Sequence, residues 1–194
     1  MPLTIYLAGP DVFLPDARDV GRRKQEMCNE YGFQGLFPLD KDAEVGTDPA
    51  EIFRANCRLM ERASVGVFNL TPFRGPSADA GTAFEAGLMF AQRKRLFGYT
   101  SVKTDYAARV TANFGPLVQH SGMDLRDRDG YGVENFGLCD NLMIARAIMD
   151  SGGTISAIAE KEARQGASLA AFEAFRMCLE AVRLRTASQT MGAR

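Results

Sequence analysis

Ser64 to Thr100, SVGVFNLTPFRGPSADAGTAFEAGLMFAQRKRLFGYT, is the stretch on which the fold turns. It opens on a short apolar run, Ser64 to Leu70 (SVGVFNL), and crosses a loop rich in Gly and Pro. It then enters a helical segment, Ala80 to Gln92, and closes on a second apolar run, Arg95 to Thr100 (RLFGYT). Short apolar runs bounded by turn residues read as strands, so the stretch is a strand, a crossover helix and a strand. Upstream, Thr4 to Gly9 (TIYLAG) is another such run, closed by Gly9-Pro10. Asp16 to Tyr31 follows with Ala17, Val20, Met27, Cys28 and Tyr31 near helical spacing, Asp16 as N-cap and Gly32 as C-cap. Phe33 to Leu39 (FQGLFPL) reads as a strand, with Gly35 and Pro38 suiting an edge or a strand end. After a polar loop, Asp40 to Pro49, the segment Pro49 to Ala63 puts Ile52, Phe53, Asn56, Cys57, Met60 and Ala63 on one helical face, with Asn56 as the polar exception.

The order is βαβαβαβ, which implies a doubly wound α/β fold. The expected sheet is mostly parallel, of about four to five strands, with right-handed crossovers, helices on both faces and extra C-terminal helices. In such sheets ligands bind outside the carboxyl ends of the strands. Those ends here are Gly9 to Phe13, Pro38 to Asp42, Leu70 to Asp79 and Tyr99 to Asp105. Beyond Thr104 the pattern becomes irregular, with Gly130, Gly132 and Gly137 marking loops, before helical stretches at Leu138 to Asp150 and Ser168 to Leu184. A chain of 194 residues fits one domain, expected over 1–185, since domains run to about 100 to 200 residues. The closing RTASQTMGAR is small and polar, and residues 186–194 are expected to fray.

With 23 Lys+Arg against 24 Asp+Glu, the chain lacks the broad positive field that nucleic acids or acidic membranes attract, so a small neutral partner is expected. No stretch approaches the roughly 18 apolar residues of a membrane span, and Met1 to Pro10 has no signal-peptide pattern, which points to the cytoplasm. Cys28, Cys57, Cys139 and Cys178 stand without a Cys-x-x-Cys pair and are expected reduced and mostly buried. The single histidine, His120, makes a Ser-His-Asp triad or a multi-histidine metal site a poor fit.

Phosphate-loop motifs fail. There is no G-x-x-x-x-G-K-[ST], and the G-x-G-x-x-G candidate at Gly130 and Gly132 has Asn135 in the third place. The acidic run Asp124 to Gly130 (DLRDRDG) would put Leu125 and Phe136 at calcium-ligand positions and reads as a solvated loop. More telling is Pro72 to Gly87, PFRGPSADAGTAFEAG, at a strand's carboxyl end. Asp79 can cap the helix. Glu85 lies inside it, where the positive helix end favours an ionised carboxylate, a potential nucleophile. Gly81 and Gly87 let a flat ligand approach the backbone, and two carboxylates near one cleft suit glycosyl transfer. Spacing alone equally fits Asp79 as a plain cap, Glu85 as a solvated helix residue, Tyr6 as packing and Asn56 as a satisfied amide.

Tyr6 in the first strand, D-x-G-T-x-x-E-x-G from Asp79 to Gly87, and Asn141-Leu142-Met143 together resemble the nucleoside 2-deoxyribosyltransferases over roughly residues 3 to 148. The resemblance implies Glu85 as the nucleophile at the anomeric carbon, Tyr6 as its hydrogen-bonding orienter, and Asp79 as the group that contacts the nucleobase and assists its protonation. It implies Asn141 as a ligand of the sugar 5′-hydroxyl lent by a neighbouring subunit, with Met143 in the same borrowed wall. Hence a homo-oligomer, a dimer or an assembly of dimers, is expected, acting on deoxynucleosides and free nucleobases with no metal or organic cofactor. Gly9, Gly81, Asn56 and Asp42 complete the expected substrate-binding set. Asn56 stands where the family carries an acidic base contact and Asp42 where it carries glutamine, and the chain continues well past Met143. Arg74, in Phe73-Arg74-Gly75, and His120 have no assigned role. The competing readings are an N-glycosidase acting on deoxynucleosides or nucleoside 5′-monophosphates, in which water takes the second step, and a nucleoside-binding module without turnover.

Overall fold

The computed structural model describes residues 2–40, 48–122, 124–158 and 169–191, with backbone only at 170 and 188–191. Its main sheet has five strands: β1 (Leu3–Ala8), β2 (Phe33–Leu36), β3 (Val65–Asn69), β4 (Arg95–Thr100) and β8 (Ile155–Ala157). They lie in the order β2-β1-β3-β4-β8, and every pairing is parallel. Between them run α1 (Ala17–Glu30), α2 (Pro49–Arg62), α3 (Ala80–Ala91), α4 (Tyr106–Phe114), α5 (Leu142–Asp150) and α6 (Leu169–Met191). A small antiparallel sheet of β5 (Val118–Ser121), β6 (Asp124–Arg126) and β7 (Gly132–Val133) is inserted before α5. The fold is thus α/β and doubly wound, with fifth strand β8 at the edge opposite β2.

The two-residue alternation of the strands sorts their side chains into two cores. Ile5 and Leu7 of β1, Val65 and Val67 of β3, and Phe97 and Tyr99 of β4 pack on Met27 and Cys28 of α1 and on Phe175, Cys178 and Leu179 of α6. Their neighbours Tyr6, Ala8, Phe68 and Leu96 face the other way, onto Met60 of α2, Ala86 and Met89 of α3, and Ile144 and Ile148 of α5. Because both faces are covered, the strands read as continuous apolar runs. Tyr6 therefore points at the α2–α3–α5 layer, while Ile5 and Leu7 anchor the strand from behind.

Several expectations are corrected. The second strand stops at Leu36, short of Leu39, because the Asp40 carboxylate accepts the Phe37 N–H at 3.0 Å and Pro38 has no donor to continue the ladder. Asp16 sits at the N-cap of α1 but makes no capping bond there. Ile52 and Phe53 of α2 are exposed rather than core, and the Phe53 ring rests 6.0 Å from that of Phe84 on α3. The region after Thr104 holds α4 and the small sheet instead of irregular chain. Asp124 to Gly130, expected to be a solvated loop, forms β6 and a turn in which Asp127 Oδ1 accepts from the Asp129 and Tyr131 amides at 3.0 and 2.9 Å. The helix expected from Leu138 begins only at Leu142, since Asn141 caps it, and α6 carries helical backbone to Met191. All four cysteines are free. Cys28 and Cys178 are buried, and Cys57 and Cys139 are partly so. Among the described residues no helix is long and apolar enough to cross a membrane.

Candidate active site

The strand order reverses between β1 and β3, and at such a switch point the loops leaving the two strands diverge and open a crevice. The loop after β1 is short and rigid. Gly9 has φ +154°, in a region that disfavours side chains, and a Cβ there would meet the Asn69 Cβ at 2.5 Å and the Asp11 carboxylate at 2.8 Å. Pro10–Phe13 then make a 3-10 turn pinned from below: Asp11 Oδ2 takes the Lys24 ammonium at 2.6 Å and the Asn69 amide at 3.1 Å. The loop after β3 runs to Asp79, whose carboxylate caps α3 by accepting the Thr82 N–H at 3.1 Å.

With the first turn of α3 so fixed, Glu85 comes round onto the side facing β1. There the Tyr6 hydroxyl, on a side chain with no exposed surface, donates to Glu85 Oε1 at 2.5 Å. The helix end, which favours an ionised carboxylate, acts here against burial. Burial, reinforced by the nearby charge of Asp79, lifts the Glu85 carboxyl from 4.5 to about 7, with the Tyr6 hydrogen bond pulling the other way. Burial and the adjacent Glu85 charge in turn raise the Tyr6 phenol far above its ordinary value, so it remains a donor throughout the accessible pH range.

Glu85 and Asp79 line a cavity of about 330 Å³ that also takes in Gly9, Asn56, Gly81 and Thr82, with Tyr6 buried behind Glu85. Its opposite wall is apolar, built from Val12, Phe13, Leu39 and Ile52, of which the sequence pattern placed Ile52 on the apolar face of its helix and gave the others no role of their own. The exposed apolar positions Phe13 and Ile52 are explained by this wall. Phe13 stacks on Phe73 with ring centres 5.2 Å apart, and the Arg74 guanidinium, on a backbone with φ +56°, lies 4.7 Å from the Phe73 ring and 5.6 Å from that of Phe13. One wall thus suits a flat apolar face, and the other offers a carboxylate pair and an amide, with the Tyr6 phenol held behind Glu85. Asp42 lies outside the described residues.

Asn141 and Met143 are not in this cavity. They line a separate groove of about 750 Å³ on the other side of α3, together with Ala83, Gly87 and Phe90. Asn141 is held by its own chain: its Oδ1 accepts the Met143 N–H at 3.0 Å and its amide donates to Glu134 at 3.1 Å. Met143 is 75% exposed.

If Tyr6 tunes Glu85, Tyr6→Phe removes a bond that favours the ionised carboxyl and moves its pKa further above 7. The expected result is that the acid limb of kcat/KM, which reports the free protein, shifts to higher pH, and that activity at neutral pH drops roughly tenfold. An unshifted limb measured across the neutral range would contradict this.

Residues 5–143 match the family model described as nucleoside 2-deoxyribosyltransferase. An uncharacterized protein of Schizosaccharomyces pombe is 34% identical over 171 residues, 78% of this chain and 80% of that one. Among solved structures, a 2-desoxiribosyltransferase from Leishmania mexicana superposes with a TM-score of 0.62 at 26% identity, covering 92% of this chain and 98% of that one. A conserved protein from Enterococcus faecalis shares the fold, with a TM-score of 0.55 at 17% identity over 95% of this chain and 99% of its own. The reversal of strand order, the Tyr6–Glu85 contact and the Asp79 cap thus sit within the matched segment, and the chain belongs to the nucleoside 2-deoxyribosyltransferase family.

Proposed function

We propose that this protein transfers 2-deoxyribose from one nucleobase to another, with Glu85 as the nucleophile. The hydrogen bond of 2.5 Å from the buried Tyr6 to Glu85, which lines a cavity together with Asp79, carries the reading. Glu85, ionised, attacks the anomeric carbon. The bond from that carbon to the base nitrogen breaks, and its electron pair leaves on the base, which takes a proton with the help of Asp79. The result is a deoxyribosyl ester of Glu85. An incoming base attacks the same carbon through nitrogen, the ester oxygen departs as carboxylate, and the new nucleoside loses its proton, so two inversions give net retention. The apolar wall of Val12, Phe13, Leu39 and Ile52 suits the flat base and limits water at the ester. Such a reaction serves nucleoside salvage and needs no cofactor.

In this reading Asn141 and Met143 serve the site of a second copy. The exposed Phe90 and Met143, which line the larger groove, supply apolar surface that a homodimer would cover.

Incubation of the protein with 2′-deoxyinosine and adenine, followed by chromatography, is expected to yield 2′-deoxyadenosine with little free sugar while adenine is present. Free deoxyribose without exchange product would make the protein a hydrolase. Absence of turnover across purine, pyrimidine and 5′-phosphorylated substrates would leave only binding.

A further inference from the structure

A buried ion pair that takes no part in the cavity joins the two places just described. Arg109 of α4 and Asp140, before α5, have side chains only 6% and 0% exposed, with Arg109 Nη2 at 3.3 Å from Asp140 Oδ2. Their remaining hydrogen-bonding capacity goes to loops. Arg109 donates to the carbonyls of Pro76 at 2.6 Å and Thr104 at 2.9 Å, and to that of Cys139. Asp140 accepts from the Ser77 hydroxyl and from the backbone N–H groups of Ala78 at 2.9 Å and Asn141 at 2.8 Å. The planar guanidinium fork sets three carbonyls at once, which a lysine ammonium does not do in one plane.

Pro76, Ser77 and Ala78 run directly into Asp79, while Asp140 is followed by Asn141. Ser77 and Ala78 line the groove across α3 with Asn141, and the next residue, Asp79, lines the Glu85 cavity, so the pair holds the chain where it passes from one to the other. Interchanging a buried pair for apolar residues is often neutral or stabilising, so burial of charge here calls for a role in geometry. We propose that Arg109 and Asp140 are positioning residues that set two half-sites together: Asp79 for the cavity of their own chain, and Asn141 for that of a second copy. The inference rests on the shared-site reading above.

Two measurements test it. The first needs no activity. In Arg109→Met, amide hydrogen exchange is expected to speed up at least about tenfold over both 76–79 and 139–143, while β1 and β3 stay protected. Arg109→Lys, which keeps the charge but loses the fork, is expected to show the same paired loosening at smaller size and decides the matter if Arg109→Met does not fold. Loosening of only one stretch, or of neither, overturns the proposal.

The second uses mixed dimers purified through two different affinity tags, with release of the base as the assay, since transfer and hydrolysis share that step. Glu85→Ala paired with Asn141→Ala leaves one intact site and is expected to show about half of wild-type activity. Arg109→Met paired with Asn141→Ala leaves one site with sound catalytic groups and a displaced Asn141, so KM rises while kcat per site holds. Paired with Glu85→Ala, its one live site has a displaced Asp79, so kcat falls about tenfold or more while KM holds. An equal loss of both parameters in both pairings, as general loosening would give, overturns the proposal, as does wild-type behaviour in either. Failure of the Glu85→Ala and Asn141→Ala pair to recover, with the wild type active, removes the shared site and with it the two-sided role. A wild type that releases no base from any deoxynucleoside sinks the functional reading instead, and the exchange measurement still decides whether the pair ties the two loops.

Discussion

Glu85→Gln is expected to slow deoxyribosyl transfer by at least about 10³-fold and, at the same time, to make the protein more stable above neutral pH. The two effects have one origin. Glutamine fills the same space and still accepts the Tyr6 hydrogen bond, but it cannot form the ester, so the deoxyribosyl adduct that intact-mass measurement should detect on the wild type is absent. On the stability side, burial lifts the Glu85 carboxyl from 4.5 to about 7 in the folded protein. A group whose pKa rises on folding favours the folded state fully below its unfolded value, and that contribution is lost as pH climbs through the folded one. Across that window the rise corresponds to roughly 3 kcal/mol at about 1.4 kcal/mol per tenfold change in proton affinity. Urea melts should therefore find the wild type and Glu85→Gln close at pH about 4 and separated in favour of the variant at pH about 8. A constant difference would mean that burial does not perturb Glu85. In the proposed reading the wild type carries a costly, partly buried carboxylate at neutral pH in exchange for a nucleophile poised near its own titration point.

The alternation from β1 to β4 was legible because each strand in it is a short apolar run, the first three ended at or near Gly, Pro or Asn, and every helix between them has a polar start. What escaped was short or interrupted by charge. β8 is only three residues, Ile155–Ala157, too few to show a pattern. α4 carries Arg109 on its buried side between Ala107 and Val110, so its apolar stripe is broken at the residue that ties the loops together. Lys24 in α1 is the same case, buried at a core-facing position between Val20 and Cys28. Asn56 gave the same kind of signal, a polar residue in an apolar stripe, and the structure places it on the cavity. Of the expected site residues, Tyr6, Gly9, Asn56, Asp79, Gly81 and Glu85 come together because each lies at or just beyond the carboxyl end of a strand, or on a helix packed over it. Phe13 gave no signal and Ile52 read as one more core position of its stripe, since an apolar residue does not declare its exposure until its neighbours are known. Asn141 and Met143 lie across α3, a separation that neighbours in sequence could not reveal.

Lys24→Met is expected to destabilise the protein by about 3 to 5 kcal/mol, the cost of leaving one buried charge without its partner. For a chain of this length that lowers the melting temperature by roughly 10 °C or more. Lys24 is held on every side: its ammonium is 2.6 Å from Asp11 Oδ2, donates to the Tyr99 hydroxyl at 2.6 Å, and lies 5.3 and 5.6 Å from the ring centres of Tyr99 and Phe175. Methionine retains much of the stem packing and removes the charge, so the loss reads the stranded Asp11 rather than a void. Asp11 would keep only the Asn69 amide, and the turn of Pro10–Phe13 that carries Phe13 into the cavity wall would lose its tether. A rise in KM for the nucleoside should accompany the fall in stability, with Glu85 chemistry less affected. Adding Asp11→Asn to Lys24→Met removes the unpaired charge while sparing the bond to Asn69. The double variant is therefore expected to regain well over half of the lost stability, a coupling that a thermodynamic cycle of the four proteins measures directly. Additive losses in that cycle would show that Lys24 acts through packing with Tyr99 and Phe175 and not through Asp11. The cavity wall would then owe its position to the Gly9–Asn69 approach alone.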